Sequence, residues 1–337
     1  MKSVIHTAFS IVFPTSRAPL TRHYSPLICG MGPVIDFKKP LDYSILKDKT
    51  VLITGGISGL GARIASAFAE HGALVTTADI NAQQGKDFAQ EASQKGLDIN
   101  FVITNVSDWT SQINAFKSAI AFGKRNSIDI IIAAAGVSGS FQQSKGGEPP
   151  SLDKDPPEPA RSVSAFDVNA KGVYFTSALA THYFALPSGG SKPPSPSYTK
   201  LLVVISSLAG YLELNNVDYT ASKWAVRGMF RALRSMMEDQ SYRINLIAPW
   251  VMDTPMSKDL AQICREKGFP VGDAKNVADA VIRCAADDSI SGRALGIGAA
   301  ETFDLRDDIE GLNAGIVMKD YLEGEAKGFM KFFGQRP

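Results

Sequence analysis

A chain of 337 residues, 45% hydrophobic and 20% charged, suffices for one large folded domain and excludes disorder of the chain as a whole. The formal net charge of +1 gives no basic field to gather nucleic acid and no acidic one to gather cations, which leaves a small molecule as the expected partner. Cys29, Cys264 and Cys284 are widely spaced, with no CxxC and no neighbouring His cluster; neither a disulfide framework nor a metal site is signalled, and reduced thiols of an intracellular protein are expected.

Residues 1–47 read as an N-terminal extension. Met1 to Ile35 has no acidic residue but includes Lys2, Arg17, Arg22 and several Ser and Thr, a composition that leans toward a mitochondrial transit peptide. Pro14, Pro19 and Pro26 break any long amphipathic helix, so a poorly ordered extension of a cytoplasmic protein is preferred, with mitochondrial targeting and a secretory signal as alternatives. No run approaches the ~18 to 20 apolar residues that span a bilayer, and membrane insertion is not expected.

From Lys49 onward short β-rich runs alternate with longer helical patterns, as in a parallel sheet covered on both faces. The strand candidates are Thr50 to Thr54, Leu74 to Asp79, Asn100 to Thr104, Ile128 to Ala133, Leu201 to Ser206, Arg243 to Ala248 and Ala294 to Ile297. Several, such as Ile130 to Ile132 and Leu201 to Ile205, are continuously apolar, which suits strands buried on both faces. Gly61 to Glu70, Ala82 to Lys95 and Trp109 to Phe122 read as helices with Gly72, Gly96 and Gly123 at their stops. The expectation is one doubly wound α/β domain over 48–303, with about seven parallel strands, and a C-terminal extension over 304–337. Gly139 to Pro159 and Leu186 to Pro196, rich in Pro and Gly, read as surface insertions because the sheet pattern resumes after each.

The first strand runs into Thr54, Gly55, Gly56, Ile57, Ser58, Gly59, Leu60, Gly61 and then a helical pattern. Glycine at 55, 59 and 61 permits a tight turn and lets backbone N–H groups approach a pyrophosphate, whose charge is favoured by the positive end of the next helix. Alone, such a turn is also compatible with an ordinary strand-to-helix connection; the strand before it and the helix after it argue against that. About 20 residues on, Asp79 closes the second strand, where a carboxylate accepts hydrogen bonds from ribose hydroxyls and repels a 2′-phosphate. With Ser58 rather than a basic residue before Gly59, this favours NAD. The alternative is that Asp79 merely ends its strand or caps the segment from Ile80 onward.

Tyr219 and Lys223 lie within a helical pattern that continues through Trp224, Val226, Met229 and Leu233, so they share one helix face. A phenol with a pKa near ~10 acts as a base around neutrality only if something favours its anion, and a nearby ammonium does so. The bland alternative is an exposed aromatic beside a solvated lysine. Ser206 and Ser207 close the apolar strand at the carboxyl edge of the sheet, where a hydroxyl can polarise a carbonyl or simply satisfy the strand end. Asn169, in an amphipathic helical segment, must find partners once buried; a water relay and bonding within its helix both remain open.

Over roughly Lys49 to Ala300 the chain resembles the short-chain dehydrogenase/reductase family. The resemblance rests on the TGxxxGxG turn, Asp79, Asn169 in a VNxxG context, the Ser pair followed by Leu208, Ala209 and Gly210, and the YxxxK of Tyr219 and Lys223. The pattern at Val168 to Gly172, Ser207 to Tyr211 and Ala248 to Met256 is most similar to fungal dehydrogenases of secondary metabolism, including the hydroxyaverantin dehydrogenase type. The resemblance implies a Rossmann-like NAD-binding domain, a homodimer or homotetramer, and an oxidoreductase that moves a hydride between NAD and a secondary alcohol or ketone. It implies a catalytic tetrad of Asn169, Ser207, Tyr219 and Lys223: Tyr219 takes the hydroxyl proton, Lys223 holds the cofactor ribose and depresses the phenol pKa, Ser207 binds the reacting oxygen, and Asn169 supports a water-linked proton path.

Cofactor contacts are then expected at Gly55, Ile57, Ser58, Gly59, Leu60, Gly61, Asp79, Asn105, Val106, Ala135, Gly136, Pro249, Val251 and Thr254, besides Tyr219 and Lys223. Substrate contacts are expected at Ser207, Tyr211, Trp250 and Met256, and with Leu212, Leu214 and Met252 these suggest a pocket for a bulky apolar alcohol. The sequence departs from the family at Ala133 to Gly136, where NNAG is usual, at Asn105 in place of Asp, and at Trp250 in place of Gly. Ser206, not Ser207, has the usual separation of 13 from Tyr219; Ser207 is preferred on its local context, with Ser206 in reserve. A catalytically silent NAD-binding redox sensor or scaffold is the alternative of a different class.

Overall fold

The computed structural model describes residues 35–139, 152–153, 165–186, 200–214, 216–238 and 242–307, with scattered positions between 317 and 328. Most of the N-terminal extension and nearly all of both Pro- and Gly-rich insertions lie outside the described residues.

The strands are β1 (Thr50–Thr54), β2 (Leu74–Asp79), β3 (Ile99–Ile103), β4 (Ile130–Ala133), β5 (Leu201–Ile205), β6 (Arg243–Pro249), β7 (Ala294–Ile297) and β8 (Thr302–Asp304). They form one sheet in the order β3-β2-β1-β4-β5-β6-β7-β8, parallel except for β8, which runs antiparallel to β7. The helices are α1 (Gly59–Glu70), α2 (Ala82–Gln94), α3 (Trp109–Phe122), α4 (Gly172–Phe184), α5 (Val217–Glu238), α6 (Lys258–Glu266) and α7 (Ala274–Ala286). Two helix groups, α1 with α7 and α3 with α4 and α5, pack around the sheet.

The apolar runs form the core. Val51 to Ile53, Ile130 to Ile132 and Leu201 to Val204 are buried, each side chain contributing about 1.5–3 kcal/mol by leaving water. Helix ends follow local chemistry: Asn81 accepts from the Gln84 N–H to start α2 and Asp108 from Ser111 to start α3, while Gly72 and Gly96, at φ of +79° and +71°, stop α1 and α2.

The expected strands all form, with shifts of one or two residues at β3 to β6. The eighth strand was not expected: three residues are too few to show a periodicity. Leu46 is buried in the core ahead of β1, and Met318 and Tyr321 are buried beyond β8, so chain on both sides of 48–303 packs onto the domain.

Because the chain moves from β1 to β2 and β3 on one side, then crosses to β4 on the other, a crevice opens beyond the carboxyl ends of β1 and β4. Thr54 pairs with Ala78 on one side and Ala133 on the other, which brings the three strand ends level there.

Candidate active site

The crevice holds a cleft of about 300 Å³, bordered by Gly55, Ser58, Gly59, Leu60 and Gly61 on one side. Asp79, Asn105, Val106, Ala135, Gly136 and Thr254 border it elsewhere. The glycine turn is compulsory: a Cβ on Gly61 would stand 2.0 Å from the Gly55 carbonyl oxygen, and one on Gly55, at φ +66°, would stand 2.6 Å from the Ala135 Cα. Ser58 precedes α1 without a side-chain cap, leaving its first-turn N–H groups to an anion. These features fit a nicotinamide dinucleotide: the turn offers backbone N–H groups to a pyrophosphate and Asp79 offers a carboxylate to ribose hydroxyls. Asp79 ends β2 and its Oδ1 accepts from the Asn81 N–H at 3.3 Å, as the alternative reading expected, while Asn81 itself caps α2. Ile57 is buried and does not border the cleft.

A second cleft of about 370 Å³ adjoins the first, and Leu60, Thr254 and Met256 border both. Ser207 and Tyr219 lie on it, with Pro249, Trp250 and Val251. The Ser207 hydroxyl is placed to hydrogen-bond the Tyr219 phenol, which favours the phenolate, yet burial acts more strongly and leaves the Tyr219 pKa raised above 10. Lys223 Nζ stands 5.6 Å from the centre of that ring and donates to the Ile205 carbonyl at 3.2 Å. Its own pKa falls to about 8 through burial. The expected depression of the phenol by Lys223 is therefore not what the free chain displays: both groups are desolvated, and burial disfavours each charged form.

Both serines border the second cleft, but their hydroxyls do different things. Ser206 Oγ donates to the Lys223 carbonyl at 3.1 Å, fastening the strand end to α5. Ser207 Oγ accepts from the Ala209 N–H at 3.1 Å and lies 3.3 Å from the Pro249 carbonyl, to which it can also donate.

Asn169 is fully buried in a π-helical stretch, Phe166–Lys171, that precedes α4. Its Oδ1 accepts from the Val137 N–H at 2.8 Å, and its Nδ2 donates to the Val137 carbonyl and to Ser222 Oγ, both at 3.0 Å. The side chain thus clasps the backbone just beyond the missing NNAG asparagines. Of the two readings left open, bonding within its own helix is replaced by this long-range clasp. Both amide donors are engaged, so a water could reach the side chain only as a donor to Oδ1.

Trp250 and Met256 lie where a substrate contact was expected; Trp250 Nε1 donates to the Pro270 carbonyl at 3.1 Å, and its ring meets the Tyr321 edge at 5.4 Å. Tyr211 does not border the cleft. Its hydroxyl donates to Asp307 at 2.9 Å and the Arg227 guanidinium lies 4.1 Å from its ring centre, so neighbourhood in sequence to Ser207 was misleading. Asn216 was missed: it borders the second cleft, stands just before α5 and accepts from the Tyr219 N–H at 3.4 Å. An Asn preceding an apolar helix pattern is the cap signal that would have found it.

Among the described residues no group of His, Cys, Asp or Glu could hold a metal, and no helix is long and apolar enough to cross a membrane.

Residues 49–264 match the family model described as short chain dehydrogenase. A 5′-hydroxyaverantin dehydrogenase of Dothistroma septosporum is 36% identical over 80% of this chain and 90% of its own length. An NADP-dependent dehydrogenase of a Phoma species is 32% identical over 83% of this chain and 86% of its own. The crystal structure of a 3-ketoacyl-(acyl-carrier-protein) reductase from Brucella melitensis, complexed with NADH, shares the fold with a TM-score of 0.61 at 22% identity, over 75% of this chain and 97% of its own.

Proposed function

Since the chain belongs to the short-chain dehydrogenase family and is an oxidoreductase of that kind, we propose that it passes a hydride between NAD and a bulky, largely apolar secondary alcohol or the matching ketone. The observation that carries this reading is the meeting of the two clefts at Leu60, Thr254 and Met256, with Tyr219 and Ser207 on the second and Lys223 behind them.

When bound, the nicotinamide supplies or accepts the hydride. The chain does the rest. Tyr219 takes the hydroxyl proton in oxidation and returns it in reduction. Ser207 donates a hydrogen bond to the reacting oxygen or to the phenolate, and Lys223 contributes positive charge that becomes stronger as it gains a proton. Asn169 holds the Val137 backbone at the edge of the cofactor cleft.

Support for NAD comes from the Asp79 carboxylate on the cleft and from Ser58, which offers no cation to a 2′-phosphate. The Phoma relative is named for NADP, and kinetics with both dinucleotides distinguish the two. Leu212, Leu214, Trp250, Met252 and Leu260 on the second cleft support an apolar substrate, as does the name of the Dothistroma relative. The sensor or scaffold alternative has no support, because tyrosine, lysine and serine are retained together. Assembly as a homodimer or homotetramer belongs to the same proposal and is read by light scattering.

The test is purified protein with NAD or NADP and a panel of hydrophobic and polyhydroxylated secondary alcohols, followed at the nicotinamide absorbance. Turnover of a polycyclic or aromatic alcohol with NAD is expected. Preference for a small sugar alcohol, or for NADP, overturns the corresponding half.

A further inference from the structure

Asp307 lies just past β8, outside the stretch that carries the family motifs, and its carboxylate is fully buried. Its two oxygens accept from two parts of the site. From α5, Arg227 makes a two-pronged contact, Nε to Oδ2 at 2.8 Å and an Nη nitrogen to Oδ1 at 2.9 Å, and Arg231 adds a third bond at 2.5 Å. From the turn after β5, the Tyr211 hydroxyl donates to Oδ2 at 2.9 Å. The Asp307 carbonyl takes a further bond from Arg234 at 2.7 Å.

These two parts carry the reacting groups. Arg227 follows Lys223 by one helical turn and Tyr219 by two, on the same face of α5. Tyr211 ends the short 3₁₀ turn Leu208–Gly210 that begins on Ser207, whose hydroxyl and carbonyl accept from the Ala209 and Gly210 N–H groups. The turn is also pressed on the helix, since a Cβ on Gly210 would stand 3.0 Å from the Lys223 carbonyl oxygen.

We propose that Asp307 is a positioning residue for the reaction: by bridging Tyr211 and Arg227 it sets the placement of Ser207 relative to Tyr219. This rests on the functional reading above. A single carboxylate accepting from both elements fixes their spacing as two separate surface pairs would not, because neither element can shift without stretching a charge-assisted bond. Positioning of this kind matters at the ångström scale, where displacement of a reacting group costs up to about 10²-fold in rate.

The test uses the full chain with Asp307→Asn, and Tyr211→Phe as the milder variant should the first fail to fold. Each is assayed with NAD and the best alcohol, alone and combined with Ser207→Ala. The expected result is a fall in kcat of about 10- to 100-fold for Asp307→Asn and a smaller one for Tyr211→Phe, with KM for NAD within about twofold of the parent. Combined with Ser207→Ala, either substitution should add less than about twofold, because both act through one hydroxyl. Amide hydrogen exchange at 208–211 should also quicken. Unchanged kcat, or full additivity with Ser207→Ala, overturns the proposal and leaves Asp307 a structural tie only. Absence of NAD-linked turnover in the unaltered protein is a different failure: it sinks the functional reading, and the positioning role with it.

Discussion

Tyr219 and Lys223 stand one helical turn apart on α5, with the ammonium nitrogen 5.6 Å from the centre of the phenol ring. Lys223 is buried and Tyr219 half-buried, and desolvation drives their pKa values in opposite directions, the phenol up and the amine down to about 8. Below about pH 8 the phenol is therefore neutral while the amine keeps its proton in a buried place, where an anionic substrate group or cofactor phosphate can stabilise it.

Tyr219→Phe retains the ring and most of its packing while removing the hydroxyl. Turnover is expected to fall by about 10² to 10⁴, with NAD affinity and melting temperature nearly unchanged. A folded variant that keeps more than about half the parental rate, with chemistry rate-limiting, removes Tyr219 from the mechanism.

Lys223 has a folded-state pKa of about 8 against 10.5 for the free side chain. Between these values the unfolded chain holds a proton that the folded chain has released, so this group makes stability rise with pH across that window. Below pH 8 the folded protein bears the cost of a buried ammonium. Lys223→Met should therefore raise the melting temperature of the cofactor-free protein at pH 7, and the gain should shrink as pH climbs toward 10.5. Lys49, also lowered to about 8, contributes the same trend to both proteins and cancels in the difference. A gain that grows with pH contradicts the assignment.

Asn169→Ala strips the Val137 backbone of both its partners. A loss of about 1–3 kcal/mol in stability is expected from the unpaired N–H, together with weaker NAD binding, since Val137 borders the cofactor cleft. Chemical denaturation and fluorescence titration check the two effects. Intact stability and NAD affinity with slowed turnover alone would return Asn169 to the proton-path role implied by the family resemblance.

Asp79 should give the parent protein at least ~10-fold higher kcat/KM with NAD than with NADP. Asp79→Ser should erode this ratio chiefly by weakening NAD use and relieving repulsion of the 2′-phosphate. Steady-state kinetics with both dinucleotides decide it.

The sheet was legible because strands buried on both faces need continuous apolar runs, and Ile130 to Ile132 or Leu201 to Ile205 admit few other readings. The glycine turn was legible because close backbone approach leaves no room for a Cβ at Gly55 or Gly61. Adjacency in sequence failed at Tyr211, whose side chain turns away from its catalytic neighbour to meet a carboxylate 96 residues later. Asn169 shows a second kind of limit: its motif was visible, but its partner Val137 lies 32 residues away and no periodicity announces such a clasp. The burial that moves the Tyr219 and Lys223 pKa values was equally hidden, because helical spacing places two side chains together without saying how dry the place is.

The span between Arg227 and Asp307 has a consequence for how the chain is made. The two are 80 residues apart, so at synthesis rates of roughly 5–20 residues per second the α5 arginines wait about 4–16 s for their counter-charge. β1 to β5, Tyr219 and Lys223 precede Arg227 in the chain and β6 to β8 follow during that interval, while the guanidinium groups destined for Asp307 must stay hydrated. Final seating of α5 is thereby deferred until Asp307 arrives, and a polypeptide stalled or cut between residues 264 and 307 would carry the whole family match without the bond that ties α5 to the turn after β5.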